Sequence, residues 1–121
     1  LKLALLAGGL NALGYMLANS NQQLDTSYQL LTKALALRPE DPAILDSMGW
    51  ALYRMGRNEE AILRLKKSFQ LNPNDEVAAH LGEVLWSVGK HSEAESIWQQ
   101  GLRLQPGSKL ITTTRQRLLS H

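Results

Sequence analysis

Cysteine is absent from the 121 residues, which removes disulfides, thiolate metal sites and cysteine nucleophiles together. Net charge is also nearly absent. Thirteen basic residues against eleven acidic ones leave +2, too little to build the basic surface that phosphate contacts need. No apolar run approaches the ~20 residues of a membrane span, so no direct membrane insertion is expected. Leu1 to Leu10 has the apolar middle and small-residue end of a signal peptide, but it is too short and continues into a helical pattern. Leu1 to Leu6 reads instead as the stub of a preceding helix, and the chain as a piece of a longer protein. An end built from Leu3, Leu5, Leu6 and Leu10 also predicts self-association.

Catalytic motifs are missing as well. There is no HExxH pair and no GxSxG turn, and Gly8, Gly9 and Gly14 have the wrong spacing for a phosphate loop. His80 and Glu83 stand three apart on one helix face, a spacing that suits two metal ligands, yet only His91 lies nearby as a third. His80 therefore reads as an ordinary surface residue. The expectation is a protein with no catalytic residues, no metal and no cofactor.

A repeat fills the space these absences leave. Gly14, Gly49 and Gly82 recur with Gly56 and Gly89, with Ala61 and Ala94, and with Pro39, Pro73 and Pro106. A period of this size means stacked helical units. The coarse map is helical throughout, near 9–19, 24–37, 42–55, 58–71, 75–88, 91–104 and 108–119. Asp41 before Pro42 marks a helix start, and Gly56 and Gly89 mark helix ends where a left-handed residue is needed. Ser92 with Glu95 reads as a capping box, Asn58 as the equivalent cap, and Glu59, Glu60, Glu93 and Glu95 as favourable first-turn charges. Glycine in mid-helix costs ~1 kcal/mol relative to alanine, so Gly49 and Gly82 imply a closely approaching neighbour, with Ala61 and Ala94 on the facing side.

In the second unit Leu45, Met48, Gly49, Leu52, Gly56, Glu60, Ala61, Leu65 and Pro73 stand in order. In the third, Leu81, Gly82, Leu85, Gly89, Glu93, Ala94, Trp98 and Pro106 do the same. This pattern resembles the tetratricopeptide repeat. The resemblance implies an all-α, right-handed superhelical solenoid of antiparallel helix pairs. It would be one domain of three repeats, near 7–40, 41–74 and 75–107, with a capping helix near 108–119. Departures fall in the first repeat, where Asn19 to Gln23 replaces the tight glycine turn and Ser27 stands for alanine. Trp98 falls where the family places a large core residue.

In that family the first helix of each pair lines a concave face that receives partner segments. Carried over residue by residue, the groove presents Asn11 and Tyr15, then Asp46, Trp50, Tyr53 and Arg54, then Glu76, Ala79, Glu83 and Trp86. Asp46, Trp50 and Arg54 share one helix stripe, and aromatic and arginine side chains dominate binding hot spots. Tyr53 and Trp86 also suit packing between repeats. One subclass holds a chaperone's carboxylate tail through lysine and asparagine. The corresponding places here hold Asp46, Trp50, Ala79 and Glu83, so an apolar or basic protein segment is the expected partner.

DPAILDSMGWALYRMGRNEEAI and AAHLGEVLWSVGKHSEAESIW further resemble the C-terminal part of bacterial cell-envelope repeat lipoproteins. Some of these are protease adaptors, others assembly scaffolds, and a lipid anchor elsewhere in the parent would be compatible. An RNA-binding helical repeat and the docking arm of an enzyme are the competing readings. Arg103, Lys109, Arg115 and Arg117 lie beyond Gly101 without an acid between them, and read as a solvated terminal helix.

Overall fold

The computed structural model describes residues 1–120 and contains seven helices among them. In chain order they are α1 (Lys2–Asn19), α2 (Leu24–Leu37), α3 (Pro42–Arg54), α4 (Asn58–Leu71), α5 (Asp75–Ser87), α6 (His91–Leu104) and α7 (Lys109–Leu119). They fall into two compact units, one ending at Leu71 and one beginning at Asn72. The first holds the pairs α1/α2 and α3/α4, with α3 packed on both α1 and α2. The second holds the pair α5/α6, with α7 packed chiefly on α5.

Local chemistry sets most of the boundaries. The Asp41 carboxylate accepts from the amides of Ala43 (2.9 Å) and Ile44 (3.3 Å), with Pro42 at the first helical position. Asn74 caps α5 by accepting from Val77 N at 3.0 Å, and Ser108 caps α7 by accepting from Ile111 N at 3.3 Å. Gly56 (φ 81°) and Gly89 (φ 87°) turn the chain between paired helices. The same place in the first pair holds Asn21 at φ 56°, a residue type that tolerates the left-handed region. That turn is one residue longer than the other two. The extra residue is taken up by Gln23, also left-handed at φ 45°.

Three boundary expectations are corrected. Residues 2–6 are the first turns of α1 itself rather than the end of a separate helix. Ser92 caps nothing: the first backbone bond of α6 runs from Ala94 N to Lys90 O, so Ser92 already lies inside the helix. Asn58 is in the same position, because Ala61 N bonds to Arg57 O and the Asn58 side-chain oxygen has no hydrogen-bond partner. In both cases the tight glycine turn starts the next helix earlier than the side-chain pattern suggests.

Each pair is closed by a glycine under a large side chain. A Cβ on Gly14 would stand 2.6 Å from Leu31 Cγ, on Gly49 2.5 Å from Leu65 Cγ, and on Gly82 1.9 Å from Trp98 Nε1. The lost helix propensity is offset by this close approach. The covering residue stands one turn beyond Ser27, Ala61 or Ala94, all of which are fully buried. Ser27 fits in the alanine position because its hydroxyl donates to the Gly14 carbonyl at 2.6 Å. Trp98 is completely buried, as a core residue should be.

Candidate functional site

In the first unit, α1 and α3 run side by side, and the repeat register puts Asn11, Tyr15 and Asn19 opposite Asp46, Trp50 and Arg54. The Arg54 guanidinium lies over the Trp50 ring, 5.0 Å from its centroid, and the Tyr53 ring centroid is 5.2 Å from that of Trp50. Arg54 Nη2 also donates to Asn19 O at 3.3 Å, bringing a cation to the carbonyl end of α1. Asp46 and Trp50 are buried, so Trp50 acts as a floor for Arg54 and Tyr53 and not as an exposed anchor. Asn11, Tyr15, Tyr53 and Arg54 are half-buried and form the accessible part of this face.

Among the buried polar atoms here, the Asn11 side-chain oxygen and Arg54 Nε have no hydrogen-bond partner. Buried polar atoms are nearly always satisfied. One acceptor and one donor on the same face are the features a polar segment can complete.

In the second unit, Ala79 and Glu83 are buried, Trp86 is half-buried and Glu76 is exposed. Glu83 pairs with Arg117 of α7, so its carboxylate is committed within the chain. Arg115 meets Glu95 at 3.1 Å. These arginines are therefore tethers for α7, which corrects the reading of a merely solvated basic end. Trp86 is stacked between His91, at 3.8 Å between ring centroids, and Trp98, at 5.8 Å.

Sequence reasoning missed the Glu83–Arg117 pair. The signal was present, since extending the repeat register into the last helix puts Arg117 in the place of Glu83, Trp50 and Tyr15. It also missed a cleft of about 320 Å³ in the first unit, whose lining includes Tyr28, Leu35, Met48, Leu52 and Arg64. Arg57 lies over the Tyr28 ring at 4.9 Å, and the Glu60 carboxylate, with Tyr28, raises the Arg57 pKa. Among the described residues, no group of three or more histidines or acids is placed to hold a metal, and no helix is long and apolar enough to cross a membrane.

A tetratricopeptide repeat model matches residues 18–79. A TPR repeat-containing protein of Pseudomonas aeruginosa is 51% identical over 77 residues, covering 64% of this chain and 13% of that protein. The chain spans less than a third of the length of the curated relatives it matches. Among solved structures, the Arabidopsis OM64 TPR domain superposes with a TM-score of 0.81 at 17% identity, covering 96% of both chains. The first TPR of Spaghetti (RPAP3), bound to an HSP90 peptide, gives 0.81 at 18% identity, covering 95% of this chain and 91% of that one. At such identities the likeness is one of fold.

Proposed function

Because the chain belongs to the tetratricopeptide repeat family, whose members generally mediate protein–protein interaction, we propose that it holds a segment of a partner protein against the α1/α3 face. The repeat is typically a non-catalytic module, and this chain is read as an adaptor or scaffold with no chemistry of its own. The observation that carries the choice of face is the Arg54 arrangement. Its guanidinium is held over Trp50 and against Asn19 O while its Nε and the Asn11 side-chain oxygen remain unsatisfied. A peptide backbone offers the donor and acceptor that these two atoms lack, and the half-buried Tyr15 and Tyr53 supply apolar contact on either side.

The RPAP3 domain is bound to the HSP90 peptide SRMEEVD. Here the α1/α3 face carries Asp46 in the groove register beside the half-buried rings of Tyr15 and Tyr53, so the segment proposed for this chain is apolar or basic rather than acid-rich. The resemblance described above supports a place in a bacterial envelope complex, and the Pseudomonas relative supports the bacterial part of that reading.

Partner capture from a bacterial envelope extract tests the reading. Wild type should retain a specific protein that Arg54→Ala with Tyr15→Ala loses while melting temperature and helical content stay unchanged. Equal capture by both proteins would remove recognition from this face.

A further inference from the structure

The cleft of about 320 Å³ in the first unit lies between α2 and α4, away from both ends of the chain and from the α1/α3 face. The buried side chains of Leu35, Met48 and Leu52 line its bottom. Its α2 bank is low, because the positions one turn apart there are the exposed Thr32 and Ala36. The Thr32 hydroxyl donates to Tyr28 O at 2.7 Å and so is already used. Both ends are crossed by contacts to the α4 side. At one, the Arg57 guanidinium lies over the Tyr28 ring; at the other, beside Pro39, Lys67 Nζ meets the Glu40 carboxylate at 3.0 Å. Ten residues separate Arg57 from Lys67, about 15 Å at 1.5 Å per residue.

The charges along this trough do not cancel. Glu60, which lines it, is held by Arg57 at 2.6 Å. Arg38 is held by Asp41 at 3.3 Å, and Lys33 of α2 lines a different cleft, with Leu6 and Leu10. Arg64, one turn beyond Glu60 on the α4 bank, has no ion-pair partner among the described residues. An apolar bottom and one unspent guanidinium are what remain for a ligand.

We propose that this trough holds an extended segment of a partner protein, with a bulky aliphatic or aromatic side chain set over Met48 and Leu52 and an acidic residue on Arg64. A length of about 15 Å takes about four or five extended residues at ~3.3 Å each. A guanidinium receives a carboxylate through two parallel hydrogen bonds. A free small acid fits less well, since small ligands are mostly enclosed by their pockets and the bank of Thr32 and Ala36 is too low to enclose one. The site stands independently of the α1/α3 face and has the opposite charge preference. With both occupied, the first unit brings together a segment that is apolar or basic and one that is apolar and acidic. The single exposed ion pair contributes little affinity, so the interaction is weak and its selectivity comes from charge.

Three sets of fluorescently labelled peptides, capped at both ends, test this, each with a central leucine or phenylalanine flanked by aspartates, serines or lysines. The aspartate set should bind best and should shift the methyl NMR signal of Met48 while that of Met16 on α1 stays in place. Arg64→Glu should weaken the aspartate set about fivefold to tenfold and favour the lysine set. Thr32→Trp fills the trough and should abolish binding of every set. Both positions are exposed, so helical content and melting temperature should hold. Arg54→Ala with Tyr15→Ala should leave binding intact, which separates this site from the α1/α3 face. Binding of no set, equal binding of all three, or binding indifferent to Thr32→Trp overturns the proposal. Hexanoate acting on the Met48 signal at concentrations as low as the aspartate peptides would assign the trough to a small acid and overturn it too.

Discussion

Two helices in this molecule do the same job with different chemistry. In the first unit α3 lies on the pair α1/α2 through an apolar contact, with Met48, Ala51 and Leu52 almost fully buried. In the second unit α7 lies on α5, and only Ile111 among its residues is buried. The remaining hold is polar. Ser108 caps the helix and also donates to Asp75 Oδ2 at 2.6 Å, Arg115 meets Glu95, and Arg117 meets Glu83. Ile111 itself enters a notch made by Gly101, where a Cβ would come within 2.5 Å of its Cδ1. The pair α3/α4 holds Ser68 at that register place, with its hydroxyl bonded to Pro42 O at 2.7 Å. Helices with little apolar surface to bury can be held by tethers, and such a joint responds to salt and to single charges as an apolar joint does not.

The largest test concerns the packing beneath these joints. Trp98→Ala removes the indole that covers Gly82 and stacks on Trp86, and should cost ~3 to 5 kcal/mol, read by denaturant unfolding. Its counterpart in the first unit, Leu65→Ala, should fall toward the lower part of the ~2 to 5 kcal/mol range. Equal losses would erase the contrast between a Gly–Trp and a Gly–Leu closure.

Next comes Gly49→Leu, which forces a side chain into Leu65 and should cost ~1 to 3 kcal/mol. An unmoved melting curve would refute the close approach. Arg117→Ala leaves the Glu83 carboxylate buried without its cation and should cost about 1 to 3 kcal/mol, the lower end being favoured because Arg117 is itself half exposed. Hydrogen exchange should locate that loss in α7. Spreading of the loss evenly over α5 and α6 would show that the pair is not a joint of its own. Ser108→Ala removes both a cap and the Asp75 contact, for about 1 kcal/mol, again with α7 amides as the readout.

The smallest effect is a gain. Gln23→Gly relieves a left-handed non-glycine residue and should stabilise the first unit by roughly 0.5 to 1 kcal/mol. A loss would mean that the Gln23 side chain holds the long turn.

Much of this was legible because it depends on neighbours in sequence. The mid-helix glycines announced close packing, Asp41-Pro42 announced a helix start, and Trp98 in a large-residue position announced a core. Capping at Ser92 and Asn58 was misread, since where a helix begins after a tight turn is decided by backbone bonds to Lys90 O and Arg57 O, not by side-chain type. The candidate face was legible as a set of positions but not as a surface. Trp50 and Arg54 share a stripe by spacing alone, yet which one is the floor and which reaches outward depends on what packs beneath them.

By itself the sequence determined the repeat, its helix pairs and the glycine beneath each closure, because period, turn chemistry and the missing Cβ act over a few residues. Tertiary structure alone decided that Trp50 is buried and that Glu83 is committed to Arg117. Burial and ion pairing depend on which distant side chains arrive at the same place, and thirty-four residues of chain separate Glu83 from its arginine.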